Sequence, residues 1–217
     1  MSTLWTFGDS FTEEFNEKYP WADAYIKWKG YKPKVYGEIL SEKLDVKLNN
    51  KGKGGSDNYT IFDTICDSVK LINDDDIIII GWSSPNRFRL VSKDNRWKIL
   101  LPNYTFLPTY NPTIEEIFNN NITKNTIEEI FINRNSDLYV NEVNKWIKLL
   151  NATFKKNVII HWSPLMNGID GMFISLLNRI KTETNDIIND GHFSEIGHIQ
   201  IADIFLEKIH RKETKFI

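Results

Sequence analysis

The chain has 217 residues, 41% of them hydrophobic and 26% charged, with a formal net charge of −2. That length suits one medium domain, and the apolar share can build a core without a metal or disulfide staple. Near-neutral charge with no long basic run argues against nonspecific nucleic-acid binding.

Short β-rich runs alternate with helical patterns, which predicts an α/β fold with a parallel sheet. The first strand is Leu4-Trp-Thr-Phe7, ending at Gly8. A helix follows over about Val35–Leu44, with Tyr36, Ile39, Leu40 and Leu44 on one face. The second strand, Val46–Asn49, ends in the glycine-rich Gly52-Lys-Gly-Gly55. The next helix spans about Asn58–Ile72, with Ile61, Ile65, Val69 and Ile72 aligned. Asp74-Asp-Asp76 turns into the strand Ile77–Ile80, whose all-aliphatic character predicts burial on both faces.

From Arg87 to Asn135 the pattern weakens, and residues 87–135 read as an insertion within a single domain over 1–217. Arg96-Trp-Lys-Ile-Leu-Leu reads as a strand or hairpin arm, and Asn119–Asn125 as a loop. Then come a helix over about Asp137–Phe154, a strand at Val158–Trp162, a helix around Met172–Ile180 and a short Asp186-Ile-Ile run. Ser194 is the expected N-cap of a last helix, with Ile196, Ile199, Ala202, Phe205 and Ile209 as its buried stripe.

The lone cysteine, Cys66, excludes an internal disulfide and is expected as a small buried helix residue. No segment approaches the length of a membrane span, and the N-terminus lacks the pattern of a signal peptide. A cytoplasmic protein with no membrane partner is the expectation; virion association is the alternative if a phage encodes the chain.

Three places carry chemistry, each beside a strand end or a helix start, where open α/β sheets bind ligands. In Phe7-Gly-Asp-Ser-Phe-Thr12, Ser10 reads equally well as a nucleophile on a turn or as a capping serine. In Asn189–His198, Asp190 can orient His192 so that the free ring nitrogen accepts a proton from a serine. The bland alternative is a loop histidine before a helix. In Asn50–Asn58, strand-end glycines suit an oxyanion hole or a phosphate cradle, although the GxxxxGK[ST] and GxGxxG patterns are absent.

Taken together these residues resemble the SGNH/GDSL hydrolases. Phe7-Gly-Asp-Ser-Phe11 matches the family's first block, Gly54-Gly-Ser-Asp-Asn58 resembles its second, and Asp190-Gly-His-Phe193 with Gly197-His198 resembles its last. The resemblance implies a flavodoxin-like three-layer α/β/α sandwich with a central parallel sheet, and no required cofactor or metal. It also implies Ser10 as nucleophile, His192 as general base and Asp190 as its orienting carboxylate, with backbone N–H groups of Ser10 and Gly55 holding the oxyanion.

Two departures stand out. One residue separates Asp190 from His192, where many members have two. Ser83 in Gly81-Trp-Ser-Ser-Pro-Asn-Arg87 occupies the place of the usual third-block asparagine, a variation similar to that of phage-borne members. Ser83 is therefore a candidate oxyanion donor, with Asn58 and Asn86 as alternatives.

The implied activity is hydrolysis of a carboxylic ester, with an O-acyl group on a carbohydrate as the favoured substrate. The rivals are a non-catalytic carbohydrate-binding or virion structural protein, and a nucleotide-binding module using Lys51–Gly55. Among the aromatic residues able to stack on sugars (Trp21, Trp28, Trp82, Trp97 and Trp162), Trp82 and Trp162 follow strands and are expected to line the cleft. Arg87 reads as a substrate-lining cation or as half of a structural ion pair. His161 is expected to be packed or cleft-lining, and His198 to lie on the last helix's surface or in its first turn. No ligand spacing supports a zinc site from His161, His192 and His198.

Overall fold

The computed structural model describes residues 2–20, 22–94, 97–100, 124–133, 135–174 and 193–211. The elements are, in order, β1 (Thr3–Phe7), α1 (Ala22–Lys29), α2 (Tyr36–Leu44), β2 (Lys47–Asn50) and α3 (Asn58–Ser68), which runs into a 3-10 turn at Val69–Leu71. Then follow β3 (Ile77–Gly81), β4 (Phe88–Val91), β5 (Trp97–Leu100), α4 (Lys124–Asn133), α5 (Ser136–Thr153), β6 (Val158–Ser163), β7 (Met172–Phe173) and α6 (Glu195–His210). Among the described residues one parallel sheet has the order β2-β1-β3-β6-β7. Its order reverses between β1 and β3, so the carboxyl ends of these two strands form the crevice where such sheets bind ligands.

Alternation along the strands divides the core into two layers. On one face Leu4, Ile77, Ile79, Ile160 and Trp162 pack against Tyr36 and Leu40 of α2 and Ile201 and Phe205 of α6. On the other, Trp5, Phe7, Ile78, Ile80 and Ile159 meet Ile61 and Ile65 of α3 and Val143, Ile147 and Leu150 of α5. The result is a three-layer α/β/α sandwich, with Ile77–Ile80 buried from both sides. At the amino end of the sheet, buried Asp76 accepts bonds from Thr3 N (2.8 Å), Trp5 Nε1 (2.9 Å) and Asn73 N (2.9 Å). It pins the start of β3 to the start of β1.

The helices begin where side chains replace missing backbone partners. Asp57 caps α3 by accepting from Thr60 N (2.9 Å), Asn135 caps α5 by accepting from Asp137 N (2.9 Å), and Ser194 caps α6 by accepting from Gly197 N (3.2 Å). For α2 the Glu38 carboxylate reaches back to Val35 N at 3.0 Å. Among the described residues no helix is long and apolar enough to cross a membrane.

Several sequence expectations are corrected. The buried face of α6 is Gly197, His198, Ile201, Ala202 and Phe205, whereas Ile196 and Ile199 are 46% and 37% exposed. The stripe is rotated because His198 and Gly197 take places that a search for aliphatic residues assigns to their neighbours. Cys66 is exposed, on the side of α3 away from Ile61 and Ile65. Met172–Phe173 is a short edge strand beside β6, not a helix start. Lys124 and Asn125 open α4 instead of closing a loop. Trp97–Leu100 is a hairpin arm, antiparallel to Phe88–Val91. The remainder of the Met172–Ile180 helix and the Asp186-Ile-Ile run lie outside the described residues.

Candidate functional site

The turn after β1 is built around Gly8 and Asp9. Thr12 N and Glu13 N both donate to Asp9 O (2.9 and 3.0 Å), so the strand passes directly into one helical turn with Ser10 inside it. A β-carbon on Gly8 would fall 2.2 Å from Thr12 Oγ1, so this close approach admits only glycine without a shift. Ser10 is half-buried.

The loop after β2 is zipped to that turn. Lys51 N donates to Thr6 O (2.7 Å) and Lys53 N to Gly8 O (3.0 Å), extending the parallel ladder past the strand ends. Asn50 Nδ2 donates to Thr12 O (2.7 Å), and Gly54 N donates to the Glu13 carboxylate (2.9 Å). A β-carbon at Gly54 would lie 3.9 Å from Ser10 Cβ, so the glycine loop runs beside the serine. Gly55 has φ +78° and its α-carbon faces open space. The left-handed conformation favours glycine there, and the open face leaves its backbone approachable.

A buried polar network joins these loops to the one after β3. The Asp9 side chain is 3% exposed; its Oδ1 accepts from Phe11 N (3.1 Å), while its Oδ2 accepts from Ser83 Oγ (2.8 Å) and Arg87 Nη1 (2.9 Å). Arg87 Nη1 also donates to Ser56 O (3.0 Å). Asn58, fully buried at the first position of α3, accepts from Ser83 N (2.7 Å) and donates to Ser83 O (3.1 Å). Because a backbone N–H can only donate, this pair fixes which end of the Asn58 amide is oxygen.

These contacts sort the oxyanion candidates. Ser83 has one hydroxyl proton and gives it to Asp9, so its expected role as an oxyanion donor is corrected to that of a brace. Asn86 is exposed on the turn after β3. Asn58 is fully buried and holds the Ser83 backbone through both ends of its amide, so it too is a brace and not a cleft donor.

The expected cleft-lining tryptophans are also corrected. Trp82 and Trp162 are both 0% exposed. Trp162 packs edge-on against Tyr36 (5.3 Å between ring centroids) and Phe205 (5.6 Å). Trp82 Nε1 donates to His161 Nδ1 at 3.3 Å. Each indole fills one layer of the core because strand-end positions of a parallel sheet covered on both faces still point into helices. Trp21 and the side chains of Trp28 and Trp97 lie outside the described residues.

Since Trp82 Nε1 is donor only, His161 Nδ1 accepts and its Nε2–H donates to Asn151 Oδ1 (3.2 Å). Burial pushes the His161 pKa down to about 3, so the ring is neutral at pH 7. His198 is buried in the first turn of α6 and accepts from Tyr36 N at 3.3 Å through Nδ1. His161 touches the Trp82 layer and His198 the Tyr36 layer, so the sheet separates them and they share no ligand site.

The unfolded chain binds a proton at His161 near pH 6.5, whereas the folded chain binds it only near pH 3. The stability this gives is complete above pH 6.5 and is lost as pH falls toward 3, at up to about 1.4 kcal/mol per pH unit. In His161→Gln, the loss of unfolding free energy between pH 7 and 4.5, read from urea denaturation, should be about 2 kcal/mol smaller than in wild type. An unchanged pH dependence would contradict the assignment.

Asp190 and His192 lie outside the described residues, but their neighbour does not. Phe193 is buried (4% exposed) with its ring 5.5 Å from that of Phe11, edge to face, and 5.7 Å from His198. The residue that follows His192 therefore packs on the residue that follows Ser10. The segment entering α6 thus meets the turn after β1.

No family model and no curated protein matches this sequence. Among solved structures, a member of the lipolytic protein G-D-S-L family from Veillonella parvula DSM 2008 is similar, with a TM-score of 0.50 and 14% identity over 97% of this chain and 100% of that chain. A carbohydrate esterase, described as having divergent catalytic and non-catalytic binding functions in its active site, aligns with a TM-score of 0.47 and 14% identity over 96% of this chain and 68% of that one. The acetyl xylan esterase Est2A from the rumen bacterium Butyrivibrio proteoclasticus aligns with a TM-score of 0.45 and 13% identity over 99% of this chain and 65% of that one. With a parallel sheet in the order β2-β1-β3-β6-β7, an end-to-end match to the Veillonella protein, and Ser10 on the turn after β1, the chain has the fold of the SGNH/GDSL hydrolases.

Proposed function

We propose that the protein is a serine esterase that hydrolyses a carboxylic ester through an acyl-enzyme on Ser10. Two observations support this reading: the Gly54–Gly55 loop runs beside Ser10, and Phe193, which follows His192 in the sequence, packs on Phe11, which follows Ser10. His192 takes the proton of Ser10 as the hydroxyl attacks the ester carbonyl, and Asp190 orients the imidazole. The tetrahedral oxyanion is held by the N–H groups of Ser10 and Gly55. His192 returns the proton to the departing alcohol. Water then attacks the acyl group by the same route.

The favoured substrate is an O-acyl, in particular O-acetyl, group on a carbohydrate. Beside the nucleophile turn lies a groove of about 460 Å³ lined by Glu13, Glu14, Phe15, Glu17, Lys18 and Lys32, among others. Its polar wall suits the hydroxyls of a glycan better than a long acyl chain.

A fluorophosphonate probe tests the enzyme against its non-catalytic rival. Wild-type protein should be labelled, with the adduct mapped by mass spectrometry to the peptide containing Ser10. A protein that stays unlabelled under conditions that label a known serine esterase would leave the binding reading in its place.

A further inference from the structure

We infer that Arg87 is a positioning residue for the oxyanion hole: by bonding Asp9 and Ser56 together, it sets the distance between the nucleophile turn and the glycine loop. This role rests on the esterase reading above. Arg87 Nη1 carries two hydrogens, and the structure gives one to Asp9 Oδ2 (2.9 Å) and the other to Ser56 O (3.0 Å). Asp9 directly precedes Ser10, and Ser56 directly follows Gly55. Each end of the clamp is thus one residue from a backbone N–H proposed to hold the oxyanion.

The clamp is protected and braced. The Arg87 and Asp9 side chains are 13% and 3% exposed, so water screens the pair little. Ser83 holds the same carboxylate oxygen (2.8 Å), and Asn58 holds the Ser83 backbone through two hydrogen bonds. Three loops, following β1, β2 and β3, are therefore locked through one guanidinium. The ladder bonds Lys51 N to Thr6 O and Lys53 N to Gly8 O fix the first half of the glycine loop; the Ser56 carbonyl fixes its far side. An oxyanion hole works only if its donors are already aimed at the charge that develops. A misplacement of about 1 Å can cost about 10²-fold in rate. Lysine is a poorer clamp, because its freely rotating ammonium on a flexible stem does not hold two N–H bonds in fixed directions as the planar guanidinium nitrogen does.

The test compares wild type, Arg87→Ala and Arg87→Lys by the rate and the final stoichiometry of fluorophosphonate labelling, and by p-nitrophenyl acetate hydrolysis. Arg87→Ala is expected to label about 10²-fold more slowly but still to one probe per chain, with kcat reduced and KM unchanged. Arg87→Lys should be slowed by at least about tenfold, and it serves alone if the alanine variant does not fold. A variant that labels at the wild-type rate overturns the role. So does a reduced endpoint with an unchanged rate, since that marks lost folded protein and not misplaced donors. If wild type itself neither labels nor hydrolyses, the esterase reading fails and the role of Arg87 fails with it; labelling of wild type with fast labelling of both variants removes only the latter.

Discussion

Ser10→Ala and His192→Ala should each lower p-nitrophenyl acetate kcat by about 10⁴–10⁶-fold, and the double variant should be no slower than the worse single one. A serine hydroxyl is a poor nucleophile until a base takes its proton, and the imidazole has nothing to activate once the hydroxyl is gone. Two residues acting as one unit cannot lose their contribution twice. The physical requirement is that the His192 imidazole reach Ser10, and the edge-to-face contact of Phe11 with Phe193, the residues that follow the two, supports that expectation. Residual activity in the variants would come from the backbone donors, which survive both substitutions. If instead the two losses multiply, or His192→Ala retains wild-type kcat, Ser10 has another base or the reaction does not pass through it. Two of the described histidines, His161 and His198, offer no substitute. His161 is neutral and held between Trp82 and Asn151, and His198 is turned onto the Tyr36 backbone.

Much of the scaffold was legible in the sequence because strong periodicity reports burial directly. Ile77–Ile80 has only one reading as a strand covered on both faces, and it pairs with Leu4–Phe7 and Val158–Trp162 as its neighbours in the sheet. Elements without such a signal were missed. Ala22–Lys29 has an interrupted apolar pattern, and Phe88–Val91 is a short arm that, among the described residues, pairs with β5 alone. The α6 stripe was misjudged by a rule that gives core places to aliphatic residues, when His198 takes one by accepting the Tyr36 N–H.

The site was legible where chemistry is local and obscure where it is relayed. Gly8, Ser10 and Gly55 belong to short runs whose turn geometry depends on their own residue types. The partners of Asp9 come from 74 and 78 positions away, and nothing in the spacing of Ser83 and Arg87 shows that both end on one carboxylate oxygen. Trp82 and Trp162 show the converse. Their strand-end positions suggest a cleft, but the side to which each points is set by register, and register sends both inward.

Asp9→Ala should lower unfolding free energy by about 3–5 kcal/mol, the range for breaking one partner of a buried ion pair. The loss does not measure how favourable the pair is. Removing the carboxylate leaves the Arg87 guanidinium, 13% exposed, with an uncompensated charge, and strands the Ser83 hydroxyl and the Phe11 N–H without their acceptor. The double variant Asp9→Ala/Arg87→Met removes the stranded cation while keeping most of the side-chain volume. It should therefore be more stable than Asp9→Ala alone, with a coupling energy of about 1–3 kcal/mol in the double-mutant cycle. Neither variant is expected to recover esterase activity, because the clamp on the nucleophile turn is absent from both. Stability regained without activity separates the electrostatic cost of the pair from its positional use. Strictly additive losses, or an Asp9→Ala cost below about 1 kcal/mol, would mean that Arg87 finds water or another acceptor once Asp9 is gone. The buried network would then not be what joins these three loops.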